Sequence, residues 1–295
     1  MKLIVLGATG MLGSMVYACL KDCPEFNVVG TVRKKMKNFV YLDVNESTDE
    51  LKTKLKGYDY VINCIGITKP YCHDQNMQEM RNAITINSLF PHRLDEAAKS
   101  NHFKVIQIAT DCVYSGKTGK YNEDSPHDPT DVYGKTKSLG EVRSSLFLNI
   151  RSSIIGPEKY NKVFLLEWFL KQPKGVVLNG FSNHLWNGIT TLQFAKLCLT
   201  IIKENKFDFL NSASSVHHFI PNEIVNKYQL LCMLNEVFDK DFIIKEQKAG
   251  DSMVDRTLAS KYNSIPSLFP RSDLRSELER LRSYMDQGEW FGKEQ

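Results

Sequence analysis

Short apolar runs bounded by glycine or polar residues recur through the first half of the chain. Between them lie stretches with the i, i+3, i+4 spacing of amphipathic helices. Leu3–Leu6, Asn27–Val32, Phe39–Leu42, Tyr58–Cys64, Lys104–Ala109 and Leu146–Arg151 predict strands. Met11–Leu20, about Thr48 to Lys56, and Met77 to about Ser100 predict helices, the last broken locally near Pro91. Strands that alternate with helices and end in small or polar residues predict an α/β chain with a doubly wound parallel sheet. Ligands of such sheets lie beyond the carboxyl ends of the strands.

Past Arg151 the pattern becomes shorter and less regular. Val163–Leu170, Thr191–Ile202, Tyr228–Phe238 and Leu274–Met285 read as helices, and Val176–Leu178 and Phe242–Lys245 as strands. The expected division is a dinucleotide-binding sheet over residues 1–155 and a smaller substrate-binding part over 156–295, some of whose segments return to the sheet. The Trp168-Phe169 pair reads as core. No repeat or low-complexity segment interrupts the chain.

The first strand runs straight into Gly7-Ala8-Thr9-Gly10-Met11-Leu12-Gly13 and then a helix. In that context glycines permit a tight turn, close approach of a pyrophosphate, and a helix packed hard on the sheet, with free N–H groups facing the anion. Gly7, Thr9, Gly10, Met11, Leu12 and Gly13 are therefore candidate cofactor contacts, although the spacing is GxxGxxG rather than GxGxxG. The second strand ends in Arg33-Lys34-Lys35 with no acid. An acid there favours a bare ribose 2′-hydroxyl and an arginine a 2′-phosphate, so Arg33 predicts NADPH ahead of NADH. Asp43 and Val44 should reach the adenine, and Asn63, Cys64, Ile65 and Gly66 should line the cofactor cleft, with Asn87 close by.

Composition narrows the setting. The 295 residues are 42% hydrophobic and 24% charged, ordinary for a soluble globular chain. A net charge of +4 spread along the chain does not argue for a nucleic-acid partner. Seven cysteines without a CxxC pair suit reduced thiols in a cytoplasm and offer no metal spacing. The apolar run at Leu3–Leu6 is too short and glycine-broken for a signal peptide, and no stretch approaches the roughly 18 apolar residues of a membrane span. The expected setting is cytoplasmic, without membrane or metal; the sequence identifies no oligomeric face, and a homodimer stays open.

The chemistry gathers between Ala109 and Glu141. Thr110 and Asp111 follow the fifth strand, and Tyr133 and Lys137 stand four residues apart on a predicted helix, hence on one face. A second YxxxK, Tyr17-Lys21, lies late in the helix after the glycine loop, too far from its phosphate end. Reducing a ketone requires a proton at the oxygen while hydride reaches the carbon. A phenol of pKa about 10 supplies that proton, and a neighbouring ammonium can lower it by about 1–3 units. Lys137 can also hydrogen-bond the nicotinamide ribose, and Thr110 can donate to the substrate oxygen.

GATGMLG, ATDCVYSG and DVYGKTKSLGE, in that order, resemble the extended short-chain dehydrogenase/reductases, in particular the dTDP-4-dehydrorhamnose reductases and their sugar-nucleotide relatives. The resemblance implies hydride transfer from NADPH to the C4 ketone of a nucleoside-diphosphate 6-deoxy-4-keto sugar, in the synthesis of cell-surface polysaccharide precursors. It implies a catalytic triad of Thr110, Tyr133 and Lys137 and a sugar contact at Asp111. Over the second half it is thinner, carried by Arg151–Gly156 and Trp186–Thr191; Cys112, Arg151, Trp186 and Asn187 are the expected substrate neighbours. The related 4,6-dehydratases carry Thr-Asp-Glu where this chain has Cys112, which argues against dehydration. Epimerase-reductases of the GDP-fucose synthase type pair such a cysteine with a histidine after Gly-Pro, whereas Gly156-Pro157 here precedes Glu158. Cys112 therefore reads as a filler beside the pocket. A further alternative is a non-catalytic dinucleotide-binding regulator, as in the reductase-like subunit of methionine adenosyltransferase.

Overall fold

The computed structural model describes residues 1–250 and 253–288. Seven strands build its central sheet: β1 (Lys2–Leu6), β2 (Asn27–Val32), β3 (Val40–Tyr41), β4 (Tyr60–Asn63), β5 (Lys104–Ala109), β6 (Phe147–Arg151) and a late strand, Val216–His218. Their order is Val216–His218, β6, β5, β4, β1, β2, β3, and every pairing is parallel. From β1 the chain builds outward through β2 and β3, then returns to the far side of β1 for β4, β5 and β6. The direction reverses between β1 and β4, and the crevice outside their carboxyl ends is where such sheets take ligands.

Alternation within β1 shows why both faces are covered. Leu3 and Val5 join a core with α1 (Met11–Lys21) and the helix Thr191–Lys203. Ile4 and Leu6 point the other way, into a core with Leu51 of α2 (Thr48–Lys54). Every residue of β1 after Lys2 is buried, as a parallel strand under helices on both faces requires. The second half thus supplies both a covering helix, Thr191–Lys203, and the edge strand Val216–His218 to the sheet.

The expected break at Pro91 is displaced. α3 (Met77–Ala83) runs through a π-helical segment, Ile84–Leu89, into α4 (Phe90–Asn101). Phe90 N–H reaches back to Thr85 O, so the widened turn comes before the proline and Pro91 falls in the first turn of α4, where a missing N–H costs little. Trp168 is 40% exposed while Phe169 is fully buried, so only half of that pair is core. The remaining short strands pair among themselves: Ile154–Ile155 with Ile189–Thr190, Val177–Phe181 with Ile243–Gln247, and His184–Trp186 between Val225–Asn226 and Val254–Asp255. Among the described residues no helix is long and apolar enough to cross a membrane.

Candidate active site

Gly7 leaves β1 with φ +76°, a conformation L side chains rarely adopt. Its N–H donates to Thr31 Oγ1 at 3.1 Å, Ala8 N–H to Thr31 O at 3.0 Å and Gly10 N–H back to Gly7 O at 3.0 Å, so the turn is pinned to the end of β2. A Cβ on Gly13 would stand 2.1 Å from Gly7 O, which makes glycine obligatory for this approach of helix to turn. No side chain caps α1 at Gly10. The first-turn N–H groups of Met11, Leu12 and Gly13 therefore face out over the glycine turn, a cradle suited to a dinucleotide pyrophosphate. Arg33 is the exposed residue directly after β2, beside that turn. Thr9 is half-buried on the loop, and the Leu12 side chain goes into the core, leaving its backbone to the cradle. Asp43 follows β3 and spends one carboxylate oxygen on Asn45, while Val44 is buried.

Cys64 and Ile65 close the other wall. A Cβ on Gly7 would lie 3.1 Å from the Ile65 side chain and 3.6 Å from the Cys64 carbonyl. Lys137 acts electrostatically on Cys64, which links the glycine turn to the helix that carries Tyr133 and Lys137. That helix, α5 (Val132–Leu139), is capped by Asp131, which accepts from Gly134 N at 2.8 Å, while Asp74 accepts from Val132 N at 2.9 Å. Two glycines let it pack tightly. A Cβ on Gly134 would strike Cys112 O at 2.2 Å, and one on Gly140 would strike Asn87 O at 1.8 Å. The first contact seats Tyr133 against the turn Asp111–Val113, whose cap is Thr110.

Thr110 Oγ1 accepts from Cys112 N at 3.2 Å and donates to Asp111 Oδ1 at 3.1 Å. Burial pushes the Tyr133 phenol above its ordinary value, Cys112, Asp111 and Asp131 push the same way, and a hydrogen bond with Thr110 opposes them. Lys137 is not among the main influences on the phenol, contrary to the expectation that it would lower it: the ammonium donates to Ile108 O at 2.9 Å and is itself pressed down to about 8 by burial. At neutral pH the tyrosine is a proton donor and the lysine a cation. Burial pushes the Cys112 thiol up to about 12, so it holds its proton. The buried Glu158 accepts from Phe164 N at 2.7 Å and is engaged in its own loop. In the earlier YxxxK, Tyr17 is half-buried against the core and Phe39, with the exposed Lys21 ammonium 5.5 Å from its ring centre.

Five expected contacts have side-chain polar groups committed elsewhere. Asn63 donates to Gln107 Oε1 at 2.7 Å and accepts from Ile65 N, and Gln107 donates on to Asn149, forming an amide ladder across β4, β5 and β6. The Asn87 amide clamps both polar backbone atoms of Ile67 and donates to Thr136, so it positions the loop beside Gly66 instead of facing a cofactor. Asn187 is spent on Leu258, donating to its carbonyl at 2.8 Å and accepting from its N–H at 3.0 Å. Arg151 is fully buried and bound to Glu141, Tyr114, His127 and His218, leaving it nothing for a substrate. Trp186 is nearly buried and donates to Ser153 Oγ at 2.8 Å.

A family model described as the RmlD substrate binding domain matches residues 1–242, more than three quarters of the chain. The chain belongs to this family. Among curated relatives, the methionine adenosyltransferase 2 subunit beta of Xenopus tropicalis is 25% identical over 81% of this chain and 72% of its own length. A dTDP-4-dehydrorhamnose reductase from Aggregatibacter actinomycetemcomitans is 30% identical over 52% of this chain and 50% of its own length. Among solved structures, a dTDP-4-dehydrorhamnose reductase of Bacillus anthracis in complex with NADP superposes with a TM-score of 0.74. It is 16% identical, with 96% of this chain and 99% of that one covered.

Within this RmlD-like frame the structure adds site residues that the spacing pattern did not suggest. Asp131 caps α5 and pairs with Lys69 at 2.7 Å. Arg256 donates to Tyr114 O at 3.0 Å and acts electrostatically on Cys112. Asp111 and Cys112 act electrostatically on Lys227. Asp131, two residues before Tyr133, carried a readable N-cap signal; Lys227 and Arg256 come from distant, irregular segments and carried none.

Proposed function

We propose that this chain reduces the C4 ketone of a nucleoside-diphosphate 6-deoxy-4-keto sugar with NADPH, as a member of the RmlD-like sugar-nucleotide reductases. The observation that carries the reading is the convergence of Thr110, Tyr133 and Lys137 on the sheet edge that bears the glycine cradle, linked through Cys64. The cradle suits a dinucleotide, since Gly13 lets α1 approach the Gly7 turn and no side chain caps its first-turn N–H groups, and Arg33 beside it suits a 2′-phosphate. Bound NADPH supplies the hydride for the carbonyl carbon. Tyr133, held protonated by burial, gives its proton to the carbonyl oxygen, and Thr110, turning its one O–H away from Asp111, donates a hydrogen bond to that oxygen as charge builds on it. The Lys137 cation then stabilises the phenolate left behind until a proton returns. A phenol held this high carries the needed proton at neutral pH but releases it less readily than a free tyrosine, so the transfer relies on the basic oxyanion that forms as hydride arrives. The setting we propose is cytoplasmic.

The test is oxidation of NADPH with a panel of nucleotide-linked 4-keto sugars. Turnover on at least one is expected, with kcat for Tyr133→Phe lower by about 100-fold or more. Full activity of Tyr133→Phe would remove the assigned proton donor. A second reading has one observation in its favour: the methionine adenosyltransferase beta subunit aligns over more of this chain than the reductase does. Tight NADPH binding with no turnover on any 4-keto sugar would turn the conclusion to that regulatory reading.

A further inference from the structure

Lys227 opens the helix Lys227–Val237 directly after the strand Val225–Asn226, which pairs antiparallel with His184–Trp186 and sets Val225 opposite Trp186. The pairing lays the Lys227 ammonium 4.9 Å from the Trp186 ring centre, within range of cation–ring attraction. The ring is a fixed platform: its Nε1 is tied to Ser153, and a Cβ on Gly188 would lie 2.3 Å from it. The asparagine before Lys227 fixes the backbone in turn, through a capping box with Gln229. Both partners of this contact are therefore held before any ligand arrives.

What the ammonium lacks is an acceptor. Among the described residues Lys227 makes no hydrogen bond and no ion pair, although its three N–H groups could serve three. Asp111 and Cys112 act on it electrostatically, which puts it across from the turn that carries Thr110. Asp111 accepts from Thr110 through one oxygen and, among the described residues, makes no ion pair with Lys227. Arg256 adds a second cation on the same side, since both it and Lys227 act on His184. A half-buried cation with unused donors is unfavourable until an anion meets it, and burial presses Lys227 down to about 8. A 6-deoxy sugar carries no carboxylate, so the permanent anion of the proposed substrate class is its pyrophosphate.

We propose that Lys227, seated on Trp186, binds a phosphoryl oxygen of the substrate's pyrophosphate and so holds the nucleotide sugar in the crevice. The assignment rests on the nucleotide-sugar reading, and the test separates the two. Calorimetric titration of the NADPH-loaded full chain with dTDP, UDP and GDP is compared for wild type, Lys227→Met and Lys227→Arg, with glucuronate as a phosphate-free oxyanion. Lys227→Met should weaken the best nucleoside diphosphate by about 10–100-fold, as expected for a lost hydrogen bond to a charged group. Lys227→Arg should retain most of the affinity. An unchanged NADPH affinity and melting temperature show that both variants are folded. In turnover, Lys227→Met should raise KM with kcat changed less than about 3-fold, the signature of lost uniform binding. If wild type binds none of the nucleoside diphosphates, the nucleotide-sugar reading falls and takes this assignment with it. If wild type binds one and Lys227→Met binds it equally well, this assignment alone is overturned. If Lys227→Met loses glucuronate but keeps the nucleoside diphosphate, the anion is a carboxylate and the phosphoryl assignment is wrong.

Discussion

Glu141→Gln decides whether Arg151 belongs to the scaffold. The guanidinium has five N–H donors, and five acceptors meet it: Nε and Nη2 reach the Glu141 oxygens at 2.6 and 2.7 Å, Nη1 reaches Tyr114 Oη at 2.6 Å and His218 Nε2 at 3.2 Å, and Nη2 reaches His127 Nε2 at 2.7 Å. Glutamine keeps the shape of Glu141 and removes its charge, leaving a fully buried cation with only neutral partners. Breaking a buried pair in this way costs about 3–5 kcal/mol. With a urea m-value of about 3 kcal/mol per molar, the midpoint should fall by about 1–1.7 M, read by tryptophan fluorescence at pH 7.5. Replacing both partners, Arg151→Met with Glu141→Leu, should leave a chain closer to wild type than Glu141→Gln alone. Acid probes the same cluster. Burial holds His127 and His218 below the ordinary histidine value, with Arg151 acting in the same direction, so both accept from the guanidinium as neutral rings. As pH falls below about 6.5 the unfolded chain takes up protons that the folded chain refuses. Stability is therefore full above that pH and declines beneath it, by up to about 1.4 kcal/mol per pH unit for each histidine. A loss below about 1 kcal/mol for Glu141→Gln, or stability flat from pH 7 to 5, would refute the structural assignment of Arg151.

Two further perturbations address the cofactor side. Arg33→Asp should move the ratio of kcat/KM values from NADPH towards NADH by about 10-fold or more; an unchanged ratio would defeat the 2′-phosphate assignment. Gly13→Ala puts a Cβ 2.1 Å from a backbone oxygen that cannot yield without opening the Gly7 turn. It should lower stability by about 1–3 kcal/mol or more and weaken NADPH by at least about 10-fold. Titration of nucleotide fluorescence and thermal unfolding read both effects, and wild-type values would show that the turn does not depend on glycine.

The sheet was legible because its strands are buried on both faces and so read as unbroken apolar runs. Lys104–Ala109 matches the observed β5 residue for residue, and Phe147–Arg151 differs from its expected bounds by one. Val216–His218 was not legible. Its sequence is Val-His-His, and both histidines are buried by hydrogen bonds that only the folded chain provides, His217 to Leu210 O and His218 to Ala259 O. The π-helical segment was equally silent, since its cause is tertiary: Gly140 abuts Asn87 O and the Asn87 side chain holds Ile67.

Among the expected site residues at strand ends of the central sheet, those on the crevice rim and those turned into the protein are separated by a single chain position. Gly7, Arg33, Cys64 and Thr110 are each the first residue after a strand, and each stands on the crevice rim. Asn63 and Arg151 are the last residues of their strands, still inside the ladder, where a side chain must point into one of the covering layers. Polar groups in that position have to find partners within the protein, and these two found an amide ladder and an ion-pair cluster. A polar residue near a strand end thus marks the crevice only if it lies past the last ladder bond. The boundary errors of one residue that matter little for the fold therefore decide which side chains can touch a ligand. By the same rule Lys227, the first residue beyond Val225–Asn226 on a strand that faces Trp186, stands where a ligand contact should be sought.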